Sequence, residues 1–346
     1  MYSFKLLTFI VLNFILIGCE NLNQVKEPNF SIKLNSETNI ISNADTININ
    51  ITNINNIKID SIHLTLNNTE ISKSTPLFNS TLGEKVIKAK VYHDSQIDVL
   101  IKNIIVVNKN TPKIFSYEIV NTYPHDIKSY TQGLEFYNGK LYESTGQYGE
   151  SKLREVDYKS GDILKNIDLS NSYFGEGLSI LNNKIYQLTW KEGRGLVYDV
   201  NSLKQIETFK YGQSKEGWGL CNDGNLFYKS DGTEYIWLLN PNTLYEESYI
   251  QAYTNKGKLT NLNELEWVEG YIYANRYQKN GVAIINPKNG AIEAVIDFKA
   301  LKSKVTKHDG LDVLNGMAYN QTTKTLFITG KRWDKLFEVR IIKINH

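Results

Sequence analysis

The chain has 346 residues, with 39 Lys and Arg against 37 Asp and Glu and a formal net charge of +2. No basic run could track a phosphate backbone, so nucleic acid is excluded as a partner. Tyr (22), Phe (13) and Trp (5) favour strands over helices, and two cysteines with five scattered histidines offer neither a disulfide framework nor a zinc cluster.

In chain order, Lys5 precedes an apolar run from Leu6 to Ile17, which has signal-peptide length and is short for a membrane span. It ends in Leu16-Ile17-Gly18-Cys19, which resembles a bacterial lipobox. By that resemblance residues 1–18 are a lipoprotein signal and Cys19 is the acylated N-terminus. The mature protein is then exported and lipid-anchored to a bacterial membrane on its periplasmic or cell-surface face. Residues 19–28 read as a linker. Lipidation of Cys19 leaves Cys221 without a disulfide partner, and its apolar context makes it a small buried hydrophobe.

Residues 29–108 are rich in Ile, Thr and Asn and alternate apolar with polar positions at Thr46 to Ile51, Ser61 to Leu66 and Val86 to Val91. The pattern predicts about seven short strands, an immunoglobulin-like β-sandwich serving as a stalk or docking module.

Residues 113–346 contain a repeat. Gly133-Leu134, Gly177-Leu178, Gly219-Leu220, Glu264-Leu265 and Gly316-Met317 recur at intervals of 44, 42, 45 and 52 residues. Tight-turn pairs follow at Asn138-Gly139, Asn182-Asn183, Asp223-Gly224 and Glu269-Gly270, and a second hairpin follows in the first four units. The prediction is an all-β chain ending in a five-bladed β-propeller of four-stranded blades. The last unit lacks a fourth strand, which the apolar segment Ile114 to Val120 is expected to supply by ring closure.

Equivalent repeat positions share one height around a propeller channel. The residue before each pair is Gln132, Glu176, Trp218, Asn263 or Asn315, and the ends of second strands add Trp190, Tyr277 and Lys331. These make a polar, aromatic pocket whose one carboxylate, Glu176, is expected to have a raised pKa from desolvation. Bland roles stay open beside the functional ones: a structural ion pair of Glu176 with Lys331 or another cation, interblade packing for Trp190 and Trp218, and strand-start capping for Asn263 and Asn315. A second catalytic carboxylate, as a glycosidase or lyase needs, is not expected, because alternation is read as placing one of Glu264 and Glu266 outside the channel.

The motifs Tyr130-Thr131-Gln132-Gly133-Leu134, Phe174-Gly175-Glu176-Gly177-Leu178, Leu188-Thr189-Trp190, Glu216-Gly217-Trp218-Gly219-Leu220, Leu262-Asn263-Glu264-Leu265-Glu266, Tyr273-Ala274-Asn275, Leu314-Asn315-Gly316 and Thr329-Gly330-Lys331 resemble, in order and spacing, the glutamine cyclotransferase family. These are the plant-type glutaminyl cyclases, and the similarity covers nearly all of residues 113–344. The resemblance implies conversion of a peptide's N-terminal glutamine to pyroglutamate with release of ammonia, independent of zinc and of any required cofactor. It implies Glu176 as the catalytic carboxylate, Gln132, Asn263 and Lys331 as polar contacts, and Trp190 and Trp218 as substrate-binding aromatics. Tyr130, Phe174, Tyr277 and Asn315 complete the expected substrate contacts; Tyr130 stands where the family commonly has Phe and Tyr277 where it commonly has Trp. A structural calcium ion is compatible with the resemblance, without a ligand set that the sequence names. A monomer acting on peptides or proteins is expected, and the rival reading is a non-catalytic propeller that binds peptide or glycan.

Overall fold

The computed structural model describes residues 28–343, Asn79 excepted. The signal segment, Cys19 and nearly all of the 19–28 linker lie outside the described residues.

The N-terminal region forms two sheets. One is three-stranded, in the order Phe30–Leu34, Thr46–Asn53, Ser74–Pro76; the other is five-stranded, in the order Ile40–Ser42, Gln96–Val107, Gly83–His93, Ser61–Leu66, Thr69–Glu70. Alternation drives their packing: Ile47, Ile49, Ile87, Ala89 and Val91 point inward while their neighbours face solvent. Tyr253 and Ala291, from the C-terminal region, belong to the same apolar core as Ile47, Leu77 and Leu82. Backbone bonds from Leu82 N to Asn289 O (2.8 Å) and from Asn108 N to Thr254 O (3.2 Å) cross the same boundary. The N-terminal sheets are thus docked against the larger region, with apolar area in common, rather than hung from it.

The larger region consists of five four-stranded antiparallel units. Three are separate sheets that begin with the strands Thr131–Tyr137, Gly175–Leu181 and Leu220–Asn222. The other two begin with Leu262–Val268 and Leu314–Asn320 and are joined into one eight-stranded sheet by Lys113–Pro124. That strand pairs antiparallel with Lys335–Ile342, closing the last unit as expected, and also runs parallel to Ile292–Asp297. The first strands of the units touch one another in succession, and the last touches the first. Burial falls outward within a unit: Gly175–Leu181 is buried almost throughout, whereas Gln205–Lys210, the outer strand of the same sheet, is largely exposed. The first hairpins turn through two left-handed residues, Asn138-Gly139, Asn182-Asn183 and Glu269-Gly270, whose twist matches that of the flanking strands. The long fourth interval accommodates the single-turn helix Lys299–Lys302 and the loop that follows.

Two sequence expectations need correction. Glu264 and Glu266 are both buried, at 1% and 6% exposure, so neither is turned out to solvent; Glu264 sits in an irregular stretch of its strand, where simple alternation does not apply. The repeat also hid a common irregularity. The ladder slips between Thr131 and Gly133, Gly175 and Leu178, Leu262 and Leu265, and Leu314 and Met317, so the expected pocket residues of four units occupy β-bulges. A bulge re-aims its side chain out of the pleat, here toward the ring axis.

Candidate active site

At one mouth of the ring lies a cavity of about 350 Å³, lined by Tyr130, Gln132, Gln147, Tyr148, Phe174, Glu176, Trp190, Trp218, Asn263, Tyr277 and Lys331. The bulges bring Gln132, Glu176 and Asn263 to it. Trp190, Tyr277 and Lys331 each follow directly on their unit's second strand, Lys184–Thr189, Tyr271–Arg276 or Thr325–Gly330. Close approach of the inner strands makes this height available. A Cβ on Gly177 would stand 2.7 Å from Gly219 Cα, Leu220 N and Trp218 O, all backbone atoms.

Glu176 is 5% exposed. Burial pushes its carboxyl well above the usual carboxylate range, Lys331 pulls it back in part, and Glu216 and Glu192 add to the rise. The structural ion pair weighed for Glu176 and Lys331 does not form. Gln132 Nε2 instead donates to Glu176 Oε1 at 3.0 Å, and Asn315 Nδ2 donates to Gln132 Oε1 at 3.1 Å and to Thr131 O at 3.0 Å. Asn315 therefore stands behind Gln132 and fixes its amide; it does not line the cavity, which corrects its expected substrate contact.

Lys331 is 3% exposed, and burial lowers its pKa while Glu176 and Asp312 oppose that. Its ammonium lies 4.6 Å from the Tyr130 ring centroid and 5.2 Å from that of Tyr277, an aromatic slot in which a desolvated cation is favoured. Tyr130 Oη donates to Asp312 Oδ2 at 3.0 Å, which fixes one side of the slot. Asn263 Oδ1 is buried and, among the described residues, accepts no hydrogen bond. An acceptor left in that state costs about 1–3 kcal/mol until a donor arrives.

Four contributors were not legible from the repeat. Gln147 and Tyr148 come from the loop after Lys140–Thr145, where Gly146 occupies the position of Trp190, Tyr277 and Lys331. A Cβ on Gly146 would meet Phe174 Cε1 at 2.3 Å, so the glycine lets the Phe174 ring into the wall. Glu216 Oε2 accepts from both Trp190 Nε1 (2.7 Å) and Trp218 Nε1 (2.8 Å), one carboxylate holding two walls. Asp312 holds Tyr130. The signal for Glu216 was its place in Glu216-Gly217-Trp218, two residues from an expected wall. Beneath it, Lys229 Nζ donates to the Glu216 carbonyl at 2.8 Å and pairs with Glu246 at 3.3 Å, anchoring the loop from below.

Neither histidine nor cysteine lines the cavity. Among the described residues no group of three His, Cys, Asp or Glu is arranged to hold a metal ion.

The glutamine cyclotransferase family model matches residues 95–341. That match starts earlier than the motifs indicated, at the head of Gln96–Val107 in the N-terminal sheets. A glutaminyl-peptide cyclotransferase of Arabidopsis thaliana is 38% identical over 235 residues, 66% of this chain and 72% of the relative. The crystal structure of a glutaminyl cyclase from Myxococcus xanthus superposes with a TM-score of 0.63 at 32% identity, over 68% of this chain and 100% of that one. With the fold, the order of motifs and these similarities in agreement, the chain belongs to the glutamine cyclotransferase family.

Proposed function

We propose that the protein converts the N-terminal glutamine of peptides or proteins to pyroglutamate with release of ammonia, Glu176 serving as both general base and general acid. The observation that carries this reading is one buried carboxylate of raised pKa in an aromatic-walled cavity whose size suits a single glutaminyl residue.

The substrate's α-nitrogen must attack the carbonyl carbon of its own side-chain amide. The walls' first contribution is to hold the folded conformer, which replaces orientational entropy with binding. Glu176 accepts the proton that the amine loses. The C–N bond to the amide nitrogen then breaks, and the same proton passes to that nitrogen as it leaves as ammonia. Burial holds the carboxyl well above the usual carboxylate range, which makes its ionised form a stronger base than an ordinary carboxylate, and such relays contribute about 10²–10⁴-fold. Lys331 and Gln132 supply donors near the oxygen that becomes negative. Asn263 Oδ1 is free to accept from the substrate's amine or amide N–H. The cavity lining supports a metal-free route, because it holds one carboxylate and no imidazole or thiol.

We further propose that the five units are the blades of a five-bladed propeller and the N-terminal sheets an immunoglobulin-like sandwich. Succession of contacts among the inner strands supports the first, and two facing sheets over one core support the second. The chain acts as an exported monomer anchored through acylated Cys19, a proposal that rests on Lys5, the apolar run and the lipobox-like end. Ammonia release from a glutaminyl dipeptide, compared between wild type and Glu176→Gln, tests the activity. A folded wild type that binds peptide without releasing ammonia would favour the binding-module reading.

A further inference from the structure

A second groove, of about 470 Å³, adjoins the cavity at the same mouth, and Trp218 lines both. Its other walls come from Gln213, Glu216, Asp231, Thr233 and Tyr235, with Trp237 as floor. We propose that this groove is the subsite for the residues that follow the N-terminal glutamine, so that the enzyme reads a peptide of several residues. The inference rests on the activity proposed above and assigns the path by which the substrate chain leaves the cavity.

Chemistry requires such a path. The reacting atoms all belong to the first residue, so the rest of the peptide must cross the rim, and the rim is uneven. Tyr148 Oη donates to Glu192 at 2.8 Å, tying the loop of the first unit to that of the second. Arg332 reaches Glu150 at 3.4 Å and ties the last unit to the first. At the third unit the corresponding loop is Asp231-Gly232-Thr233, where Gly232 contributes no side chain. A Cβ there would stand 2.7 Å from Trp218 Cζ2, and φ at Gly232 is +84°. Gly232 thus lets its loop pack directly on the indole of Trp218, the side chain that divides cavity from groove.

The groove is also built. Asp231 Oδ2 accepts Trp237 Nε1 at 2.8 Å and Oδ1 accepts the Thr233 backbone N–H at 3.1 Å, which fixes the loop. The Tyr235 and Trp237 rings stack at 5.5 Å with 23° between planes, and Glu216 secures the dividing indole. A peptide laid across this surface gains rigid aromatic contact without ordering new loops.

The test compares kcat/KM, by ammonia release, for Gln-Ala-amide and Gln-Ala-Ala-Ala-Ala-amide. Thr233 and Gln213 are exposed, so Thr233→Trp and Gln213→Trp fill the groove from outside, and dipeptide turnover reports that each variant is folded. In wild type the pentapeptide is expected to be preferred about tenfold or more, and each variant should cut that preference to about threefold or less with the dipeptide rate retained. Equal kcat/KM for the two peptides in wild type, or variants that lower both alike, would overturn the subsite while leaving the cyclase activity standing. Release from neither peptide would overturn the activity itself, and the subsite with it.

Discussion

Glu216 touches no position where substrate atoms react, yet it holds two walls, and its removal has a calculable consequence. Each indole N–H donates to a carboxylate oxygen at 2.7–2.8 Å, and hydrogen bonds to charged groups contribute about 1.5–3 kcal/mol apiece. Trp190 and Trp218 are only partly buried, so water can replace the lost acceptor at part of that cost. Taking the lower value for one bond's worth of net positioning gives about 1.5 kcal/mol, a factor of roughly 10 in kcat/KM. Glu216→Ala should show this loss mainly in KM, since the walls bind ground state and transition state alike. Glu216→Gln keeps an oxygen acceptor for both indoles and should stay within about threefold of wild type. Steady-state ammonia release on a glutaminyl dipeptide, with tryptophan fluorescence as a check on the indoles, makes the comparison. Equal effects of Ala and Gln, or a loss confined to kcat, would refute the positioning argument.

Three further outcomes follow from the same geometry. As a base Glu176 must be ionised, so the rate should climb as pH rises through its raised pKa; Glu216→Gln removes a neighbouring negative charge and should move that limb to lower pH, whereas Lys331→Met removes the positive one and should move it higher. Glu264 is raised well above 4.5 by burial, with Glu135 adding to the rise, so the native state holds a proton that the unfolded chain gives up, and stability falls as pH climbs from about 4.5 toward the raised value. Glu264→Gln removes that loss and keeps an acceptor for the backbone N–H groups of Met317 and Leu134, so its Tm advantage over wild type should grow as pH rises above the ordinary carboxylate range; a pH-independent difference would contradict the assignment. Gly177→Ala places a methyl 2.7 Å from backbone on the neighbouring strand and should cost about 1–3 kcal/mol in urea unfolding, with activity falling because the bulge that aims Glu176 shifts; an unchanged midpoint and rate would show the strands are free to separate.

The repeat made a large part of this site legible. Equivalent positions in repeated hairpins lie at one height, so Gln132, Glu176, Trp218 and Asn263 could be gathered before any coordinates, and Trp190, Tyr277 and Lys331 followed from the ends of second strands. Closure by Lys113–Pro124 was legible from a missing fourth strand. What escaped were contributions set by loops and depth. Glu216 acts through two indole hydrogen bonds and Asp312 through one from Tyr130, partners fixed only when loops meet, and Tyr148 enters because Gly146 leaves room beside Phe174. Asn315 has the right repeat position but the wrong depth: its amide is taken up by Gln132 and Thr131. The shared core between N-terminal sheets and ring, through Tyr253 and Ala291, had no signature in either region's own alternation.

The most direct test of the central claim is ammonia release from a glutaminyl dipeptide by wild type and Glu176→Gln, with and without a chelator. The account predicts chelator-resistant release that falls by about 10²–10⁴-fold in the variant, with dipeptide binding retained. A Glu176→Gln variant that releases ammonia at the wild-type rate would contradict it.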